Sequence, residues 1–242
     1  AVERVSLKRN GREVHLVGKV LVEAKDGGML LLARDGNMWI IQPEELVRRE
    51  SDATPFEPLT KEEMAQELLR EMPKGFRIHE TANYVICYNT TSAYAEWSGG
   101  LYERLNRAFF NYWKNRGFEL RESEFPLVAL VFDTQASYME YSRRDLGTPA
   151  TNMIGYYNLQ TNRVTMYDLT GVDTLRQNGR RTSTAAHVNQ ILSQPEAERT
   201  VATIVHEATH QLAYNSGLQT RLADNPFWVS EGIAVYFETP DL

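Results

Sequence analysis

One cysteine among 242 residues excludes most of what cysteine does in proteins. Cys87 has no partner for an internal disulfide, and no zinc site can be assembled from thiolates alone. It lies in the alternating run YVICY, which predicts a buried strand with Cys87 as a small core hydrophobe. Long apolar runs are also missing. None approaches the roughly 20 residues that cross a bilayer, so no membrane span is expected. Positive charge is in deficit, with 26 Lys and Arg against 32 Asp and Glu and a net charge of -6. Without a basic stripe interleaved with aromatics, nucleic acid is not an expected partner. Low-complexity tracts and internal repeats are absent, and 24% charged residues is ordinary for a folded chain. The length suits one large domain, or a medium domain with a small companion.

The first fifty residues alternate apolar and polar positions and turn often, at Asn10-Gly11, Asp26-Gly27-Gly28 and Asp35-Gly36. That grammar predicts a meander of short strands over 1–50, a small all-β unit of the SH3-like barrel kind. Only Trp39 offers an aromatic for a binding groove there. Residues 51–74 read as a linker, SDATPFEPLT, followed by a helix in which Met64, Leu68, Leu69 and Met72 recur at helical spacing before Pro73.

From residue 75 to 242 strands and helices mix, so the fold class is α+β. FRIHE, NYVICYN and PLVALVFD read as strands. SAYAEWSGGLYERLNRAFFNYWKNRG is a long helix with Leu101, Leu105, Phe109 and Trp113 on one face, and ASYMEYSRRDLG is a shorter one. IGYYN and NRVTMYD form a hairpin around Leu159 to Thr161, followed by a long polar loop, LTGVDTLRQNGRRTST.

Histidine is scarce too, with five in the chain, yet two of them stand one helical turn apart in TVATIVHEATHQLAYNSG. Ser193-Gln194-Pro195-Glu196 has the form of a capping box with proline in the first turn, and Gly217 is a fitting stop. At 100° per residue, Val201, Ile204, Val205, Ala208 and Leu212 cluster on one side, while His206 and His210 stand nearly opposite with Glu207 at their flank. Histidines at i and i+4 project side by side and can reach one zinc ion at about 2.0 to 2.1 Å. Glu207 can then hold a water without taking a coordination position.

A third ligand is expected in DNPFWVSEGIAVYFETPDL, a helix predicted to start at Asn225-Pro226 and to stop at Thr239-Pro240. Asp224, Glu231 and Glu238 compete for the role. Glu231 is favoured because it shares its face with Phe227, Trp228, Ala234 and Val235, where an unpaired carboxylate is costly. Glu238 lies two turns on, about 10 Å along the axis, and is expected to support a neighbouring loop or meet solvent.

HEATH, twenty intervening residues, and then Glu231 in WVSEGIAVYFE resemble the gluzincin metallopeptidases, the superfamily of thermolysin and the aminopeptidase N-like enzymes. The resemblance is to the peptidase MA-like branch, and residues 75–242 are similar to a little-characterised bacterial group, a domain of unknown function, that carries it. It implies a zincin-like (thermolysin-like) domain with a mixed sheet and an active-site helix. It implies a zinc metallopeptidase with His206, His210 and Glu231 as metal ligands, Glu207 as general base, Zn2+ as cofactor and a peptide or protein as substrate. It also implies an extracytoplasmic or secreted location. NRVTMYD takes the place of the family's substrate-lining edge strand.

Two departures accompany the resemblance. No GAMEN-type loop for a substrate amino terminus occurs, so endopeptidase activity is expected over exopeptidase. The chain ends eleven residues after Glu231, ahead of the region that supplies an oxyanion-binding Tyr or His in those families, so either a truncated domain or an electrophile from elsewhere is expected. Upstream candidates for that role are Tyr156, Tyr157, Tyr167, His187, Arg180 and Arg181. The competing expectations are a zinc-containing binding or scaffold protein without catalysis and a zinc hydrolase of a non-peptide amide.

Overall fold

The computed structural model describes residues 1–147, 153–171 and 184–238. The chain divides into two compact units, Ala1–Thr60 and Lys61–Leu242. The fold is mixed α+β, with one sheet in each unit.

The smaller unit contains β1 (Val2–Arg9), β2 (Arg12–Glu23), β3 (Met29–Ala33), β4 (Met38–Ile41) and β5 (Leu46–Asp52), all antiparallel in the order β4-β3-β2-β1-β5. Asn10 and Gly11, both at positive φ (52° and 75°), make the tight turn between β1 and β2. Both central positions of such a hairpin need that conformation, which is why Asn-Gly marks it in the sequence. Val5, Leu7, Met29, Leu31 and Ile41 form the core. The expected SH3-like barrel is not closed. A 3-10 turn at Pro43–Glu45 carries the chain from β4 to the far side of β1, and among the described residues no ladder joins β4 to β5. Trp39 packs against this core with the Arg9 guanidinium 5.5 Å above its ring, so it does not line an open aromatic groove.

The larger unit begins with α1 (Lys61–Glu71) and then β6 (Arg77–Glu80), β7 (Tyr84–Tyr88), α2 (Ser92–Lys114), β8 (Leu127–Phe132), α3 (Gln135–Leu146), β9 (Gly155–Asn158) and β10 (Arg163–Tyr167). It continues with α4 (Ala185–Leu192), α5 (Pro195–Asn215) and α6 (Phe227–Phe237). The sheet order is β6-β7-β8-β10-β9, with β7, β8 and β10 parallel and β6 and β9 antiparallel at the edges. Every residue of β7, β8 and β10 is buried, as expected for parallel strands covered on both faces. Side chains alternate accordingly. Arg163 reaches Glu71 of α1 and Tyr167 packs on Tyr138 of α3, whereas Met166 accepts a bond from Tyr102 of α2 on the other face, where α5 also lies.

Several expected details change. NRVTMYD is not the edge strand. The hairpin folds back so that β10 pairs with β8 on one side and β9 on the other, leaving β9 as the edge. The capping box at Ser193 does not form, because a short helix, α4, precedes α5 directly. Ser193 closes α4 by donating its hydroxyl to the Asn189 carbonyl, and Gln194 becomes the N-cap of α5 without a side-chain bond, with Pro195 in the first turn. Helix α4 itself was not expected, although Val188, Ile191 and Leu192 carry its spacing and Thr184 caps it by accepting from the His187 amide. At α6 the N-cap is Pro226. Asn225 instead staples the preceding loop, its amide donating to the carbonyls of Thr220 and Ala223. The expected stop at Thr239-Pro240 lies outside the described residues.

Candidate metal centre

Helix α5 has one buried side and one half-buried side. Ile204, Val205, Ala208 and Leu212 are buried in the core, while His206, Glu207 and His210 stand half-buried toward α6 and β9. Gly217 ends this segment at φ 80°, a left-handed conformation that costs glycine little. Helix α6 is held at both ends. Near its start Gln219 Nε2 donates to Ser230 Oγ at 2.7 Å, and near its finish the rings of Phe237 and Tyr236 pack on Phe109 and Tyr112 of α2. The two anchors lay α6 along α5 and turn Glu231 toward both histidines.

His206, His210 and Glu231 converge, each offering one ligand atom within 4.8 Å of the others, and they can hold a metal ion. The two Nε2 atoms are 3.1 Å apart. Glu231 Oε2 is 3.3 Å from His206 Nε2, and Glu231 Oε1 is 3.5 Å from His210 Nε2. Two donors about 2.0 to 2.1 Å from a common tetrahedral ion lie about 3.3 Å from each other. The Nε2–Nε2 separation and the approach of one Glu231 oxygen to each imidazole lie near that value, so the group could hold such an ion.

The helix face around Glu231 is not the apolar burial site expected. Phe227, Trp228 and Val235 are 78%, 76% and 55% exposed, so they do not bury the carboxylate. What brings Glu231 into the cluster is its direction toward both imidazoles. Asp224 is exposed in the loop and takes no part in the cluster.

Glu238 has a different place from the expected one. The Nδ1–H of His206 donates to Glu238 Oε1 at 2.6 Å. A carboxylate on Nδ1 favours the proton there, which turns Nε2 toward His210 and Glu231. The sequence carried a signal for this, since Glu238 stands seven residues after Glu231 on nearly the same helix face. The partner across the gap is visible only in three dimensions.

Glu207 stands beside the cluster and outside it. Its Oε2 accepts from the backbone N–H of Tyr157 on β9 at 2.8 Å. Burial pushes its carboxyl up to about 7; the Tyr157 N–H and His206 oppose this, and the carboxylates of Glu231 and Glu238 reinforce it. Burial, aided by the neighbouring His206, pushes His210 down to about 4, with Glu231 opposing, so its ring is neutral near pH 7 and its nitrogen lone pair is available.

Two of the upstream electrophile candidates have their hydroxyls engaged elsewhere. Tyr156 donates its hydroxyl to Asp145, Tyr157 donates its own to Asn162, Tyr167 packs on Tyr138, and His187 is exposed on α4. Burial raises the pKa of all three tyrosines. Arg180 and Arg181 lie outside the described residues. Cys87 is buried in β7, as expected of a core residue.

Residues 200–242, the segment carrying His206, Glu207, His210, Glu231 and Glu238, match a family described as a protein of unknown function (DUF1570). No curated protein and no solved structure matches the chain.

Proposed function

We propose that the chain is a zinc-dependent peptidase of the gluzincin type, acting as an endopeptidase, with a zincin-like fold in its larger unit. The observation that carries the reading is the convergence of His206, His210 and Glu231 at separations suited to one tetrahedral ion, with a fourth side chain, Glu207, alongside and uncommitted to it. A nitrogen-rich set of two imidazoles and one carboxylate suits zinc better than the all-oxygen sites of magnesium or calcium. An edge strand beside the helix that bears both histidines supports the zincin-like reading of the fold.

Zinc bound there supplies Lewis acidity and makes the attacking water more acidic. The chain's own residues do the rest. His206 and His210 present their Nε2 atoms, the first ring oriented by Glu238 and the second kept unprotonated by burial. Glu207 takes a proton from the attacking water as the new carbon–oxygen bond forms at the peptide carbonyl. It then delivers that proton to the nitrogen as the carbon–nitrogen bond breaks. A carboxyl near 7 is suited to both halves of that exchange.

The test is metal analysis of the purified chain together with a casein or quenched-peptide assay, with and without chelator. One zinc per chain and chelator-sensitive cleavage are the expected results. Retained zinc with no cleavage of any peptide or amide would favour a non-catalytic binding protein. Cleavage of non-peptide amides alone would move the activity to another hydrolase class.

A further inference from the structure

Strand β9 is four residues long and lies at the sheet edge, with a ladder, among the described residues, only to β10. Short edge strands are among the least restrained parts of a sheet. Yet this one carries the only backbone donor that Glu207 meets among the described residues. The precision of that contact has to come from elsewhere.

It comes from the C-terminal half of α5. Glu207, Gln211, Tyr214 and Asn215 follow one another at i, i+4, i+7 and i+8, a single stripe of the helix lying next to the histidine stripe. Each member touches the β9–β10 hairpin. Gln211, wholly buried, donates from Nε2 to the Asn162 carbonyl at 2.9 Å and to the Val128 carbonyl of β8 at 3.0 Å. Asn215 and Asn162 exchange two side-chain hydrogen bonds, at 2.7 and 2.9 Å. The Tyr214 ring stacks on Tyr157 at 5.8 Å, and the Tyr157 hydroxyl donates to Asn162 Oδ1 at 2.7 Å. Asn162 is the hub. It sits at φ 62°, which asparagine tolerates better than most residues, and its turn carbonyl at Leu159 accepts from Arg221 at 3.3 Å.

We propose that this asparagine-centred clamp is a positioning device: Asn162, Asn215 and Gln211 fix the hairpin along α5 so that the Tyr157 N–H holds one oxygen of Glu207 and leaves the other directed at the reacting water. The catalytic half of the statement rests on Glu207 being the general base; the structural half does not. Tyr157 thereby acts through its backbone and its tether, and its hydroxyl is no oxyanion donor. A set of amides placed only for stability could satisfy one another anywhere along α5. These converge on Asn162, which closes the turn after the strand that contacts Glu207.

The experiment uses the full chain, loaded with zinc and labelled with ¹⁵N-tyrosine. The Tyr157 amide resonance is identified by its loss in Tyr157→Phe, and its contact by its shift in Glu207→Ala. In Asn162→Gly, which keeps the left-handed turn, and in Asn215→Ala, that resonance is expected to move toward its Glu207→Ala position. Its amide should exchange with solvent at least about tenfold faster, while the Tyr84 and Tyr167 amides and the zinc content stay unchanged. If the chain hydrolyses peptides, kcat should fall on the order of tenfold to a hundredfold with KM little altered. An unmoved Tyr157 amide in either folded variant, or equal loosening at Tyr84 and Tyr167, overturns the clamp. Absence of turnover in the unmodified chain overturns the peptidase reading and leaves the amide measurement to decide the clamp.

Discussion

Glu238 Oε1 lies 2.6 Å from Nδ1 of His206, so the carboxylate at the end of α6 orients a ring that α5 supplies. Glu231, on the same helix, faces the Nε2 atoms of both rings. One helix therefore provides a member of the candidate metal cluster and the residue that aims another member.

Zinc affinity should rank accordingly. Glu231→Ala is expected to cost most, Glu238→Ala about tenfold to a hundredfold, and Asp224→Ala nothing measurable. Competition with a chromophoric chelator reads all three. A larger loss at Asp224 than at Glu238 would refute the ordering. His206→Ala with His210→Ala should abolish stoichiometric zinc.

Glu207→Gln should retain zinc and lose turnover, because the side chain stands outside the ligand set yet is the only carboxylate assigned to proton transfer. Metal content and quenched-peptide cleavage measured on the same preparation separate the two roles. Loss of zinc in this variant would make Glu207 a ligand.

In the smaller unit Arg9 donates from Nε and Nη2 to the two oxygens of Glu45, each at 2.6 Å. That pairing, with the Gln42 N–H, holds the Glu45 carboxyl down to about 2 from its ordinary 4.5. A depressed acid stabilises the fold above its unfolded-state value and loses that contribution as pH falls toward its folded-state value. The difference in urea midpoint between the unmodified chain and Glu45→Gln should thus be full at pH 6 and shrink between about 4.5 and about 2. A difference that persists unchanged at pH 2 would show that the pair contributes by packing rather than by charge.

Cys87 should be inert in the folded chain. Burial pushes its thiol up to about 12, so the reactive thiolate is scarce at pH 8 and the reagent has no path to it. Ellman's reagent is expected to give no colour until denaturant is added, and one equivalent afterward. Prompt reaction in buffer would mean that β7 opens readily.

The residues of the candidate site were legible because coordination chemistry constrains spacing along a helix. Two histidines at i and i+4 must share a face, and Asn10-Gly11, the apolar strands and the long α2 periodicity were equally local signals. The same local logic failed where a neighbour in space decided. Ser193 looks like a cap for the helix after it and instead closes the helix before it, because nothing in its own spacing reveals α4 as competitor. Phe227, Trp228 and Val235 look like a burial site for Glu231, but whether a helix face is covered depends on what packs against it.

What the sequence by itself determined is which side chains share a helix face: His206, Glu207 and His210 by their period, with Glu231 on the helix that follows. What only the tertiary structure decided is how those groups are aimed. The pairing of Glu238 with His206 spans 32 residues and that of the Tyr157 N–H with Glu207 spans 50. The exchange of edge position between β9 and β10 depends on which strand β8 accepts as its neighbour. Hydrogen-bond direction and strand order arise from packing between distant elements, and no local period in a chain encodes them.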